Sequence, residues 1–171
     1  MKRVPGRDTK PAYSAERRTW YGHGTLTRAE KPPVRRYLHD VTYVFSELSV
    51  LGLPAIVLAF LFPDTSAYGV SAATLVAWLT MTAVAAGIRG GWIPPLATDV
   101  RGWLSLAPSL LLLRVVYYNV VFLVVGFGSP ALAQALEVPP VALALAAAAS
   151  VLAVMIFPRL GESFYRWLTA E

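Results

Sequence analysis

The stretch that decides the fold is 41-VTYVFSELSVLGLPAIVLAFLF-62, an apolar run of 22 residues with one charged side chain, Glu47. A helix rises about 1.5 Å per residue and bilayer hydrocarbon is about 30 Å thick, so about 20 apolar residues can cross it. Three similar runs follow, at Val70–Ile88, Pro108–Gly126 and Val138–Phe157. The sequence therefore predicts an all-α integral membrane protein, a four-helix transmembrane up-down bundle over residues 39–158.

The composition agrees with this class of protein. Hydrophobic residues make up 56% of the chain and charged residues 15%, against roughly 25% charged residues in an average soluble domain. A soluble fold of this size could not cover four such runs without exposing large apolar patches. The chain contains no cysteine, which excludes disulfides, thiolate metal sites and cysteine nucleophiles.

Basic residues fall almost entirely on one side of the predicted spans. Fourteen of the fifteen lie before the first run, in the connection 89–107 or after the last run, and the connections 63–69 and 127–137 contain none. Cytoplasmic segments of membrane proteins are enriched in Lys and Arg. We therefore expect both termini in the cytoplasm and the protein in the plasma or inner membrane of a cell.

The segments outside the spans have distinct compositions. Residues 1–38 are basic and poor in aliphatic side chains, which predicts a mostly disordered cytoplasmic tail held near anionic lipid headgroups. Nucleic-acid binding and docking of a partner are the alternative roles for this tail. Among these partners, we do not expect a nucleic acid. Residues 159–171 are predicted to form an amphipathic cytoplasmic tail. Residues 99–107 either continue the third span or lie on the membrane surface.

Two ionisable residues lie inside the predicted spans, Glu47 in the first and Arg114 in the third. Each lies about 9 Å from the cytoplasmic start of its run, so the two can meet. An unpaired charge near the membrane centre costs about 2.5–3.5 kcal/mol, which favours a partner. Neighbouring polar side chains extend this pair to a predicted intramembrane polar cluster, whose members are Glu47, Arg114, His39, Tyr43, Tyr117 and Tyr118.

Three interpretations of this cluster remain open. Glu47 and Arg114 can be a structural lock that determines which helices are neighbours. They can also form a site for an ion, a proton or an anionic solute, since polar groups inside membranes often line pathways. Alternatively, the side chains simply reach the headgroups from their shallow depth.

The fourth span carries small residues at intervals of four, Ala142, Ala146 and Ser150. Such a stripe lets helix backbones approach closely. It predicts either packing inside this bundle or the face of a homodimer.

The motifs of catalysis are missing from the sequence. His23 and His39 are the only histidines, and no phosphate-binding loop or hydrolase motif occurs. We therefore expect no enzyme, cofactor or metal. The sequence predicts a non-enzymatic accessory or scaffold subunit that interacts with the bilayer and with copies of itself or a larger membrane complex. The alternative is a small transporter or channel component that uses Glu47 and Arg114, as a homo-oligomer.

Overall fold

The computed structural model describes residues 33–63, 66–98 and 108–168, apart from the side chains of residues 36, 108 and 168. These residues form five helices joined by short connections. In chain order they are α1 (Pro33–Leu51), α2 (Leu53–Leu61), α3 (Val70–Gly90), α4 (Pro108–Ala135) and α5 (Val141–Leu168).

The described part of the chain is all-helical and contains no strand. Three helices, α3, α4 and α5, are each long and apolar enough to cross a membrane. The shorter helices α1 and α2 reach that length and hydropathy only together, as a pair bent by 71°. This architecture is compatible with a membrane protein.

The single helix predicted over residues 41–62 is two helices in the structure, with the break at Gly52. Pro54 has no N–H to donate to the Val50 carbonyl, so the hydrogen-bond ladder is interrupted there. Gly52 also lies against α4, where an added Cβ would be 2.5 Å from Phe122 Cε2. The bend therefore follows from a missing donor and from a close contact that only glycine permits.

The helix ends differ from the predicted spans. α1 begins at Pro33, so residues 33–38, assigned to the basic tail, are helical. α5 continues through Pro158 to Leu168, so residues 159–168 extend the helix where a separate amphipathic tail was expected. The predicted disorder of the tail before Pro33 and the two alternatives for residues 99–107 concern residues outside the described ranges.

Helix α3 is central, because it packs against each of the other four helices. It ends where Gly91 adopts a left-handed conformation with φ 85°, and the Gly91 N–H donates to the Ile88 carbonyl. The small-residue stripe of α5 is fully buried within the chain, at Ala142, Ala146 and Ser150. This burial favours internal packing over a homodimer face for the stripe.

Candidate functional site

Glu47 of α1 and Arg114 of α4 form an ion pair. Arg114 Nη1 lies 3.2 Å from Glu47 Oε1, and the Tyr118 hydroxyl donates to the same oxygen at 3.3 Å. Tyr118 reaches Glu47 because it follows Arg114 by one helical turn on the same face of α4. The side chains of Arg114 and Glu47 are only 6% and 15% exposed. Both charged groups are therefore mostly buried within the protein, and each neutralises the charge of the other.

Tyr117 connects α4 to α5, and its hydroxyl bonds to α5 and not to the ion pair. Its hydroxyl donates to the Ala153 carbonyl at 2.8 Å, and its ring lies 5.0 Å from that of Phe157. The Tyr118 ring lies 5.6 Å from the same Phe157. The two adjacent tyrosines thus attach α4 to α5 through Tyr117 and to α1 through Tyr118.

A second ion pair joins α1 to the last turn of α3. Arg89 Nε lies 3.0 Å from Asp40 Oδ1, and the Arg89 guanidinium carbon lies 3.9 Å from the centre of the Tyr43 ring, within cation–π range. The second apolar run ends at Ile88, so hydropathy puts Arg89 in a connection and does not predict this pair. Asp40 and Arg89 are both helical in the structure, since α1 begins eight residues earlier than the predicted run and α3 includes Arg89.

His39 was predicted to belong to the polar cluster, but its side chain is exposed and joins neither ion pair in the described residues. The reason is its angle around the helix. At 100° per residue, His39 lies about 80° from Glu47, whereas Asp40 lies about 20° from it. Asp40 therefore faces α3 and pairs with Arg89, and His39 does not join the predicted patch between α1 and α4.

A cavity of about 80 Å³ lies beside the Glu47–Arg114 pair, between α1, α3, α4 and α5. Its polar wall consists of Glu47, Arg89, Tyr117 and Tyr118, and the other lining side chains are apolar. One acid and one base from the two different ion pairs therefore face the same space.

Asn119 closes the break between α1 and α2, a role that sequence reasoning missed. Its Nδ2 donates to the Leu51 carbonyl at 2.8 Å, and its Oδ1 accepts from the Ala55 N–H at 2.9 Å. The same Nδ2 also donates to the Val115 carbonyl of α4 at 2.7 Å. One amide side chain thus satisfies a carbonyl and an N–H on the two sides of Gly52.

A signal for Asn119 was present in the sequence. Gly52 and Pro54 interrupt an apolar run, and broken helices inside a membrane need other polar groups to satisfy the freed backbone. Asn119 is an uncharged polar side chain within the third apolar run. Asn119 lies five residues after Arg114, about 140° around the helix, and so it is not on the face of the predicted polar cluster.

The described residues contain no group of three or more His, Asp or Glu side chains that could hold a metal ion. The expectation that the chain binds no metal or cofactor and is not an enzyme stays a prediction.

Comparison with known proteins gives a family. A family described as "Domain of unknown function (DUF8215)" matches residues 31–164. The chain belongs to this family. The DUF8215 region begins just before α1 and includes both ion pairs, Asn119 and the cavity. No curated protein and no solved structure matches the chain.

Proposed function

We propose that this chain is a four-span protein of the plasma or inner membrane that acts as a non-enzymatic accessory or scaffold subunit. In this proposal the bent pair α1–α2 is the first span and α3, α4 and α5 are the others. Both termini lie in the cytoplasm. The function rests on a helix bundle of defined arrangement that larger membrane assemblies use as a component.

The observation that carries this proposal is the internal pairing of charges on the apolar helices. Glu47 pairs with Arg114, and Asp40 pairs with Arg89. Removing one member of a buried pair leaves an uncompensated charge and costs about 3–5 kcal/mol, whereas replacing both members is often neutral. Such pairs specify which helices are neighbours, and that is the property a scaffold requires.

Membrane levels of charge variants test the structural role. We expect Glu47→Gln alone and Arg114→Gln alone to lower the amount of protein in the membrane, and the double change to restore most of it. The amide side chains can still bond to each other without a net charge. A double variant that accumulates less than both single variants contradicts the lock.

Reporter fusions test the number of spans and the orientation. A phosphatase or fluorescent reporter fused after Glu171 should report a cytoplasmic location, and one inserted at Glu137, between α4 and α5, should report the opposite side. The basic residues support this arrangement, because the connections 63–69 and 127–137 contain none of them. Equal locations for both fusions contradict the proposed topology.

The basic tail provides a proposed interaction with anionic lipid headgroups. Polybasic segments gain about 1 kcal/mol per Lys or Arg near an anionic surface, and the attraction falls with ionic strength. A synthetic peptide of residues 1–32 should bind vesicles that contain phosphatidylglycerol in low salt and release at high salt. Equal binding to vesicles of phosphatidylcholine alone would argue against this.

A second candidate function, a component of a homo-oligomeric transporter or channel, is favoured by the cavity that Glu47 and Arg89 line. Access of water to this cavity distinguishes it from a scaffold. The chain has no cysteine, so single cysteines can be introduced without background. Val44 lines the cavity, and Val121 is equally buried at 8% exposure but lies outside its lining.

The transporter candidate predicts that Val44→Cys reacts with a charged, membrane-impermeant thiol reagent added to inside-out vesicles. Val121→Cys should remain unlabelled, since a buried site without access to water offers no thiolate to the reagent. Equal protection of both cysteines removes support for a pathway through this cavity.

A further inference from the structure

The cavity wall combines one carboxylate and one guanidinium that keep unused bonding capacity. Both interactions of Glu47 use Oε1, which leaves Oε2 without a hydrogen-bond donor among the described residues. Arg89 carries five N–H donors, and only its Nε–H is in an ion pair with a carboxylate of the described residues. Glu47 Oε2 is not fully enclosed by protein and the Arg89 side chain is 19% exposed, so a ligand in the cavity can reach both groups. The space between Glu47 and Arg89 therefore favours ligands of a particular charge.

That preference is for a ligand with both signs of charge. A cation in the cavity would meet the Arg89 guanidinium, and an anion would meet the Glu47 carboxylate, so either alone is opposed by one wall. A molecule with an ammonium and a nearby anionic group is attracted by both walls. We propose that this cavity binds a small zwitterion, with its ammonium on Glu47 and its carboxylate or phosphate on Arg89.

The aromatic lining suits the cationic end of such a ligand. The rings of Tyr118 and Phe157 line the same cavity, and an ammonium group is attracted to an aromatic face. The Tyr118 hydroxyl already donates to Glu47 Oε1, which leaves Oε2 as the acceptor for the ligand. The ligand therefore adds to the existing pair without replacing Arg114.

The volume limits the size of the ligand. The cavity measures about 80 Å³, roughly half of the 150 Å³ engineered cavity that accepts benzene. This space admits a ligand of a few heavy atoms, such as the smallest amino acid, or the ammonium end of an ethanolamine phosphate headgroup. A free zwitterion and a lipid headgroup share this chemistry.

This inference rests on the second candidate function, since it names the ligand class of that cavity, but it requires binding and not transport. The probe is glycine, titrated calorimetrically into the purified full chain in detergent micelles. Methylammonium and acetate carry each charge alone and serve as matched ligands. Glycine should bind at least about tenfold more tightly than either, because a hydrogen bond to a charged group is worth about a factor of ten or more in affinity.

Variants locate the binding in the cavity. Ala85 lines the cavity and Ala83 is exposed on the same helix. Ala85→Leu fills the space without removing a charge and should abolish glycine binding, while Ala83→Leu should keep it. Unchanged binding in the Ala85→Leu variant overturns the proposal, as does equal binding of glycine, methylammonium and acetate, or no binding of glycine.

Lipid nanodiscs separate the two sources of the ligand. In discs of phosphatidylcholine glycine should bind as in micelles, because the trimethylammonium group is too bulky for the cavity. If phosphatidylethanolamine is the natural occupant, discs that contain it should weaken glycine binding at least about tenfold by competition. Equal affinity in both discs assigns a soluble zwitterion instead.

The labelling of Val44→Cys makes the two failures distinguishable. If that cysteine is labelled and glycine does not bind, the cavity is open to water and the ligand class is wrong. If neither occurs, the transporter candidate fails together with this inference, and the structural lock is unaffected.

Discussion

Two regions of the bundle are held together by different interactions. The charged region consists of Asp40, Glu47, Arg89 and Arg114 and lies in the cytoplasmic half of the bundle in the proposed topology. The small-residue region lies in the opposite half. There, alanines of α3 and α5 are fully buried, and Gly126 of α4 approaches Thr74 of α3. The first region uses attraction between charges, and the second uses close approach of backbones.

The two regions also differ in whether their buried polar atoms have bonding partners. Each charged side chain of the first region has a partner of opposite charge. In the second region Thr74 Oγ1 and Ser150 Oγ are buried without a hydrogen-bond partner among the described residues. An unpaired hydroxyl costs far less than an unpaired charge. The stability of the charged region therefore requires that each charge keeps its partner, whereas the stability of the small-residue region depends on how closely the helices fit together.

The largest expected effect comes from removing one charge of the buried pair. Arg114→Gln leaves Glu47 without its cation and should lower the free energy of unfolding by about 3–5 kcal/mol. Arg159 is exposed, so Arg159→Gln should change it little. Thermal unfolding in detergent micelles, followed by circular dichroism, measures both. An equal effect of the two changes would mean that the stability of the charged region does not depend on the pairing of its charges.

Asn119, between the two regions, gives the next effect. Asn119→Leu leaves the Leu51 carbonyl and the Ala55 N–H without their partner, at about 1–3 kcal/mol for each group. Hydrogen exchange of the Ala55 amide should rise in this variant. Gln134 is exposed on the same helix, and Gln134→Leu should leave that exchange unchanged. An Ala55 amide that stays protected in Asn119→Leu would show that another group closes the break.

Close packing of the helices predicts a smaller loss of stability for changes in the small-residue region. Ala146 is fully buried, and Ala146→Leu should destabilise the protein by about 1–3 kcal/mol because the facing backbone cannot move away. Ala148 is exposed two residues further along α5, so Ala148→Leu is the matched control. If both variants unfold at the wild-type temperature, close packing of α5 is not what holds this region.

The smallest effect is expected for the more accessible ion pair. The Arg89 side chain is 19% exposed, whereas that of Arg114 is 6% exposed. Asp40→Asn keeps an acceptor oxygen for Arg89 Nε, so it should lower stability by only about 1 kcal/mol in low salt. The loss should be smaller in high salt, because ions screen the attraction. A loss as large as that of Arg114→Gln would place both pairs in the same environment.

The sequence predicted the class of fold and the main contact of the site for simple reasons. Long apolar runs determine the helices, and helical rise determines depth, so Glu47 and Arg114 could be placed at one level. The predicted all-helical class agrees with the structure, and three of the predicted runs correspond to helices long and apolar enough to span a membrane.

The parts that sequence reasoning missed depend on helix ends and on partners from other helices. Asp40 and Arg89 were placed outside the spans because hydropathy decides where a run ends, while the helix itself continues into polar sequence. The direction of Asn119 toward Gly52 depends on how α4 packs against the break, which no single helix reveals. His39 lies outside both ion pairs because it is about 80° around the helix from Glu47, which is too far to share a contact.

In the proposed arrangement of four spans, the bend at Gly52 has a geometric consequence for the surrounding lipid. A helix of nine residues is about 13.5 Å long. Because α2 leaves α1 at 71°, only about a third of that length adds to the thickness that the first span covers, and the rest extends sideways. Leu53, Val57 and Leu61 of α2 are exposed. In this arrangement α2 would therefore place an apolar surface at one depth of the bilayer. It would displace acyl chains there and widen the perimeter of the protein.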